Sequence, residues 1–203
     1  MPLTISRGFP SITTALACIL GVSEIASMAG AVRFGEQWLN QYQIGYSDFD
    51  DEDRSALREF SLLWSIFETQ AMLGDMRIEA MVSYIDEFAK VAESEGKPLQ
   101  VAPFIPHLTY FRGQFVDDAS SSTNDVFDSL SFQQSEHKDL VSHALIKLND
   151  DTPELVKALL IIVHNLRESL FRSLKWQRCS KKQRDDLYHA SKVLMKATDL
   201  ART

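Results

Sequence analysis

From residue 51 onward, apolar residues recur at spacings of three and four, which is the period of an amphipathic helix. The first helix is predicted to begin at the acidic run SDFDDEDR, residues 47–54, because carboxylates favour the positive end of a helix dipole. Its apolar stripe spans residues 57–67, and Leu62 and Ile66 widen that stripe. We therefore expect this helix to be buried on more than one side and to end near Gly74.

A second helix is predicted soon after the first. One of its faces carries only apolar residues, which are Ile78, Met81, Val82, Ile85, Phe88, Ala89 and Ala92. Gly96 and Pro98 follow this stretch and predict the end of the helix. Because only a short connection separates the two helices, they are predicted to form an antiparallel hairpin.

Three further helices are predicted towards the end of the chain. The third lies around residues 140–148, and the fourth has Thr152 as a cap with Pro153 at its first position. The last helix opens with SKKQ, in which Ser180 and Gln183 have the spacing of a capping box. The predicted core positions of these helices are Leu140, Val141, Ala144, Leu145 and Leu148; Leu155, Leu159, Ile162, Val163, Leu166 and Leu170; and Leu187, Ala190, Val193, Leu194 and Ala197.

Residues 96–124 have a different pattern, because three prolines and Gly113 oppose a long helix there. The aromatic run YFRGQF, residues 110–115, is predicted to be part of a loop that docks onto the helices. No segment has the alternation that would predict a convincing strand. The predicted fold class is therefore an all-α bundle of about five or six helices.

The first 46 residues are predicted to form a helical extension, and residues 47–203 to form the main α-helical domain. Residues 10–31 make an apolar stretch that Glu24 interrupts, and the stretch is too short for a membrane span. We interpret it as an amphipathic or partly buried helix. A cleaved secretion signal is the less favoured alternative.

Composition limits the classes of protein to consider. A chain of 203 residues with 45% hydrophobic content can bury one sizeable core, and its net charge of −7 gives no overall attraction to nucleic acid or to an anionic membrane. Cys18 and Cys179 stand alone, far from any metal-ligand spacing. A reduced, cytoplasmic chain with no membrane partner is the expectation.

The charge is nevertheless uneven, because the segment 164–184 is basic. It holds seven basic residues against a single acid, Glu168. The basic residues are Arg167, Arg172, Lys175, Arg178, Lys181, Lys182 and Arg184. This basic segment could form a local anion site, but composition alone favours a solvated helix end followed by a loop.

Most local signatures of chemistry are missing from the sequence. No glycine-rich stretch has the flanking strand and helix of a phosphate-binding loop. His137 and His143 are six positions apart and would not share a helix face, and the acidic residues 50–53 are more typical of a solvated cap than of a cation site. No cofactor and no metal site are predicted. A nucleophile with a distant histidine partner stays open.

Five blocks of the sequence, in order, carry a family resemblance: SLLWSIFETQAMLGD, YFRGQFVDD, FDSLSF, ALLIIVHNLRESLFRSLKW and HASKVLMKATDL. Together they resemble the bacterial branch of the HEPN superfamily over about residues 50–200. These small α-helical domains occur in RNA-cleaving toxins and defence systems. In the family pattern RxRNNLFHGxKW, the matching positions are Arg167, Leu170, Phe171, Lys175 and Trp176.

The resemblance implies an Arg-x4–6-His active site that needs no metal and is completed across a homodimer interface. Here Glu168 follows Arg167, Arg172 stands at the histidine position, and Ser173 replaces the usual glycine. Imidazole, with a pKa of about 6.5, can exchange a proton near neutral pH, whereas a guanidinium, with a pKa above about 12, cannot. Arg172 could still bind a phosphate with two hydrogen bonds. The motif is therefore predicted to be degenerate.

Three functions stay open, and an enzyme is not the favoured one. The first is a catalytically degenerate, dimeric module that binds RNA or a partner protein in a defence or toxin–antitoxin context. The second is an active, metal-independent endoribonuclease in which His164 or His189 replaces the missing base. The third is a structural dimerisation module. The predicted anion-binding set is the seven basic residues above, and the predicted motif set is His164, Arg167, Glu168 and Arg172.

Overall fold

The computed structural model describes residues 35–42, 45–117, 119–130, 132–147, 151–172 and 181–202, with the backbone alone at 171–172 and 181–182. The chain divides into two compact units, Met1–Ser47 and Asp48–Thr203. In the first unit, residues 35–42 form a helix on which the rings of Trp38 and Tyr42 lie with their centroids 5.2 Å apart. The predicted helix at residues 10–31 lies outside the described residues.

The second unit is mostly helical, which confirms the predicted all-α class. Its elements, in chain order, are α1 (Asp51–Gln70), α2 (Ile78–Ser94), α3 (Ile105–Phe115), β1 (Val116–Asp117), β2 (Ser122–Thr123), α4 (Asp125–Asp128), α5 (Ser135–Lys147), α6 (Thr152–Arg172) and α7 (Lys181–Leu200). β1 and β2 pair antiparallel with Val116 opposite Thr123, a two-residue ladder that the sequence pattern does not predict. A 3-10 turn, Tyr46–Asp48, precedes α1.

Helix α6 is the centre of the bundle, because α2, α5 and α7 all pack against it. Almost every side chain from Leu155 to Asn165 is buried, so the helix is covered on nearly all sides over this stretch. Lys157 is the partial exception, and its Nζ lies 2.9 Å from Asp86 Oδ1 on α2. The core positions predicted for α6 and α7 are confirmed, with Leu166 only partly buried.

The predicted hairpin of α1 and α2 is wrong in its packing. α1 lies mainly along α7 at the far end of the chain, while α2 lies on α6. The two helices touch through an edge contact between the rings of Phe67 and Tyr84, with centroids 6.3 Å apart. Leu62 is 62% exposed, so α1 buries one face rather than several. The apolar faces of both helices are therefore buried against helices that are distant in the chain.

The prediction of a loop at YFRGQF is also wrong, because these residues belong to helix α3. Pro106 lies in the first turn, where its missing N–H removes no helical hydrogen bond. Leu108, Phe111 and Phe115 follow at helical spacing and are buried. Arg112, on another face of α3, donates from Nη1 to the carbonyl oxygens of Leu145 and Ile146, at 2.9 and 3.0 Å, near the end of α5.

The helix starts agree only partly with the predicted caps. Asp50 and Asp53 form a capping box at α1, which confirms the acidic start. At α6 the cap is Asp151 rather than Thr152, because Asp151 Oδ1 accepts the backbone N–H of Glu154 at 3.2 Å. Ser180, the cap predicted for α7, lies outside the described residues. Among the helices that the structure describes, none is both long and apolar enough to cross a membrane.

Candidate functional site

The last turns of α6 carry the arginine of the predicted motif. Arg167 Nη1 donates to Glu168 Oε1 at 2.9 Å, and its side chain is about one third exposed. Its Cζ lies 4.9 Å from the centroid of the Trp64 ring, a distance at which a guanidinium is attracted to an aromatic face. The positive charge of Arg167 is thus partly balanced by its own neighbour and its position is fixed by a ring on α1.

Trp64 brings two motif residues together. The indole is buried in the middle of α1, and the His164 ring lies 6.0 Å from it, centroid to centroid, at an interplanar angle of 51°. His164 and Arg167 are one turn apart on α6, so both face the same part of α1. Sequence reasoning placed Trp64 in the core only; its role at the site has no local signal, since its partners are distant in the chain.

A cavity of about 400 Å³ lies beside these residues. His164 and Glu168 from α6 line it, together with His137 from α5 and Glu79 from α2. The turn between α1 and α2 forms another wall, and Gly74 there has a φ of +89°, which favours glycine. No local sequence signal connects His137 or Glu79 with His164, because the three residues lie on different helices.

The polar groups of this cavity hold one another in place. Gln134 Nε2 donates to Glu79 Oε1 at 2.9 Å, and His137 Nε2 lies 3.9 Å from the same oxygen. His137 is buried while His143 is exposed, so the two histidines of α5 do not act together, as their spacing predicted. Within the described ranges, no group of three or more histidine, cysteine, aspartate or glutamate residues could hold a metal ion.

Arg184, a member of the predicted anion-binding set, lies among carboxylates. Its Nε is 2.9 Å from Asp53 Oδ1 and its Nη2 is 2.7 Å from Asp50 Oδ2, while Nη1 contacts Glu52. The backbone N–H of Asp53 and then the Arg184 guanidinium keep the pKa of Asp50 below its usual range. Arg184 therefore joins the start of α7 to the start of α1, and we leave it out of the anion site proposed below.

The other basic residues of the segment are placed less fully. Arg172 is the last residue of α6, and Lys181 and Lys182 are the first two residues of α7. Lys175 and Arg178 lie outside the described residues. Of the predicted motif set, the structure brings His164, Arg167 and Glu168 together and places Arg172 at the end of the same helix.

His189, the second candidate for a substitute base, has a partner on α3. Its Nδ1 lies 3.0 Å from Nδ1 of His107, and the Tyr110 ring stacks on it with centroids 3.8 Å apart. These contacts join α7 to α3, whereas His164 lies with Arg167 on Trp64. His164 is thus the better placed of the two histidines for chemistry near Arg167.

Comparisons of the chain with protein-family models, with curated proteins and with solved structures give no match. The HEPN resemblance therefore depends on the sequence blocks alone. Any activity assigned to this site is a proposal from its geometry.

Proposed function

We propose that this chain is a catalytically degenerate, HEPN-like binding module, cytoplasmic and dimeric, that holds RNA through the basic residues of segment 164–182. The observation that carries the inference of a degenerate site is the state of Arg167, which is paired with Glu168 and packed on the Trp64 ring. Arg172 stands where a proton-transferring histidine is expected. A defence or toxin–antitoxin context is the setting that the resemblance implies.

The chemistry of these residues supports binding more than cleavage. Attack by a ribose hydroxyl needs a group that exchanges a proton near neutral pH, and a guanidinium does not. A guanidinium such as that of Arg172 can form two hydrogen bonds to one phosphate. Glu168 weakens the field of Arg167, so the site lacks the concentrated positive charge that would stabilise a pentacoordinate phosphate.

RNA binding as a function of salt concentration tests this proposal. Neutralising several phosphates releases counterions, so affinity should fall steeply as salt rises. Arg172→Ala is expected to lower affinity and to flatten the slope by about one unit, because each phosphate contact contributes about one unit. Arg202→Ala, an exposed arginine outside the segment, is the matched control and should leave both quantities unchanged.

Negligible RNA binding by the wild-type chain at low salt would contradict the RNA proposal. A dimer in sedimentation analysis with no RNA affinity would then support the structural dimerisation module. Salt-insensitive capture of a protein would instead favour a partner protein as the ligand.

A second candidate function, metal-independent RNA cleavage, is favoured by one observation. His164 shares the Trp64 ring with Arg167 and lines the same cavity as Glu168 and His137. An imidazole at this place could supply the proton transfer that Arg172 cannot. Cleavage of labelled RNA in the presence of chelator, abolished by His164→Gln but retained in His143→Gln, would establish this function.

A further inference from the structure

A second pair of histidines lies away from the candidate site, between α3 and α7. His107 is in the first turn of α3 and is 8% exposed, and His189 is near the middle of α7. Their Nδ1 atoms are 3.0 Å apart, within hydrogen-bond distance, and their rings meet edge to face. The pair is therefore a specific contact between two helices.

The contact between the two Nδ1 atoms constrains the protonation of both rings. A hydrogen bond between two ring nitrogens uses one N–H as donor and one bare nitrogen as acceptor. At least one imidazole must therefore be neutral, with its proton on Nε2. If both rings were protonated, two N–H groups would face each other across 3.0 Å, and the contact could not form.

The surroundings oppose protonation of the pair. Burial lowers the pKa of His107 to about 4, and His189, Lys196 and Lys192 add to this effect. The start of α3 also presents the positive end of the helix dipole to His107. Burial lowers the pKa of His189 as well, and Asp185 opposes this lowering.

Two other groups fix the position of His189. Tyr110 stacks on its ring at an interplanar angle of 5°, and the Tyr110 hydroxyl donates to Asp186 at 2.8 Å. Burial and the hydrogen bond to Asp186 raise the pKa of Tyr110, so it stays protonated across the range in which histidines titrate. The groups that change charge in mildly acidic solution at this contact are thus the two imidazoles.

We propose that the His107–His189 pair is a proton-sensitive contact that holds α3 on α7 in neutral solution and loosens it in mildly acidic solution. The direction follows from linkage. An unfolded histidine takes up its proton near pH 6.5, while the folded pair resists it, so the unfolded state binds more protons below that pH. The contribution of the pair to the free energy of unfolding is fully present above about pH 7. It is lost as pH falls from about 6.5 towards 4.

Histidine NMR titration of the full chain tests the contact without any variant. The expected result is that His107 titrates well below pH 6 and that His189, coupled to it, titrates below its ordinary range, with one Nδ1-protonated and one Nε2-protonated ring at neutral pH. If every histidine titrates near 6.5, the proposal is wrong.

Urea unfolding at pH 7.5 and pH 5 tests the consequence for stability. The unfolding equilibrium constant of the wild type should rise between these conditions by about tenfold more than that of His107→Asn, whose amide takes the place of the ring Nδ1 that contacts His189 but does not titrate. His143→Asn, at an exposed position on α5, should behave like the wild type. Equal pH dependence in the wild type and His107→Asn would overturn the proposal.

Hydrogen exchange locates the change. After correction for intrinsic exchange rates, amides of residues 107–115 should lose protection at pH 5 relative to those of α6. Unchanged relative protection of α3 would contradict a loosening of this helix, even if the whole chain became less stable.

Discussion

At the scale of single residues, the molecule shows how a neighbouring side chain changes what an arginine can do. Arg167 has an ion pair with Glu168 on one side and the Trp64 ring on the other. Both contacts orient the guanidinium, and the first also offsets its charge. An arginine held in this way is a weaker phosphate ligand than one facing solvent with no acid beside it.

We predict that Glu168→Gln strengthens RNA binding. The change keeps the shape of the side chain while removing the negative charge that is 2.9 Å from Arg167 Nη1. Affinity at low salt should rise by about three- to tenfold, as expected for about 1 kcal/mol of electrostatic interaction at a partly exposed site. Filter binding or fluorescence anisotropy with labelled RNA measures the change.

Glu93→Gln is the control for this variant, because it alters the net charge equally at an exposed position on α2. It should leave RNA affinity nearly unchanged. If the two variants gave the same increase, overall charge would explain the effect and Glu168 would have no special role.

Sequence reasoning predicted part of this site. The motif residues on α6 come from one continuous stretch, so helical periodicity was enough to place His164 beside Arg167. Trp64, His137 and Glu79 reach the site from three other helices. Their proximity depends on tertiary packing between segments that are distant in the chain. The periodicity of apolar residues within one helix does not predict such packing.

Among the helices, polar side chains bind the free backbone groups or capping residues at the ends of helices that the apolar core packs together. Arg112 of α3 donates to two carbonyl oxygens near the end of α5, where a helix leaves its last carbonyls without partners. Arg184 of α7 likewise meets the capping residues of α1. In both places one arginine links two helices through the end of one of them.

Arg112→Met is predicted to destabilise the fold by about 1–3 kcal/mol, because the aliphatic part still packs while two partly buried carbonyls lose their donor. Urea unfolding, followed by circular dichroism, measures the change. Arg202→Met is the matched control at an exposed position near the end of the chain, and should cost less than about 0.5 kcal/mol. Equal costs for the two variants would show that the bonds to Leu145 and Ile146 contribute nothing specific.

The errors at this scale have physical reasons. The prolines and the glycine of residues 96–124 predict a loop at residues 110–115, yet Pro106 falls in the first turn of α3, where it is tolerated. Gly113 is not required by close packing, because a Cβ at this position would meet no described atom within 4 Å. The short connection between α1 and α2 predicts a hairpin, but the apolar face of α1 packs mainly against α7. The length of a connection does not determine which helix faces are complementary in shape.

At the scale of the whole molecule, an acidic chain carries a basic segment at one junction of its bundle. The chain has a net charge of −7, and seven basic residues accompany a single acid between His164 and Arg184. Repulsion from the acidic body would disfavour non-specific contact with RNA, while the basic segment allows a local one. The predicted all-α class is confirmed, whereas the HEPN-like function stays a proposal, because fold alone does not determine chemistry.

The most direct test of the degenerate site is a cleavage assay with bound RNA. The wild-type chain, purified free of contaminating nucleases, is incubated with end-labelled RNA and chelator at a concentration that saturates binding. We expect the RNA to be bound and uncut, with the same result for His164→Gln and Arg167→Ala. Cleavage by the wild type that either variant abolishes would show that the site is active.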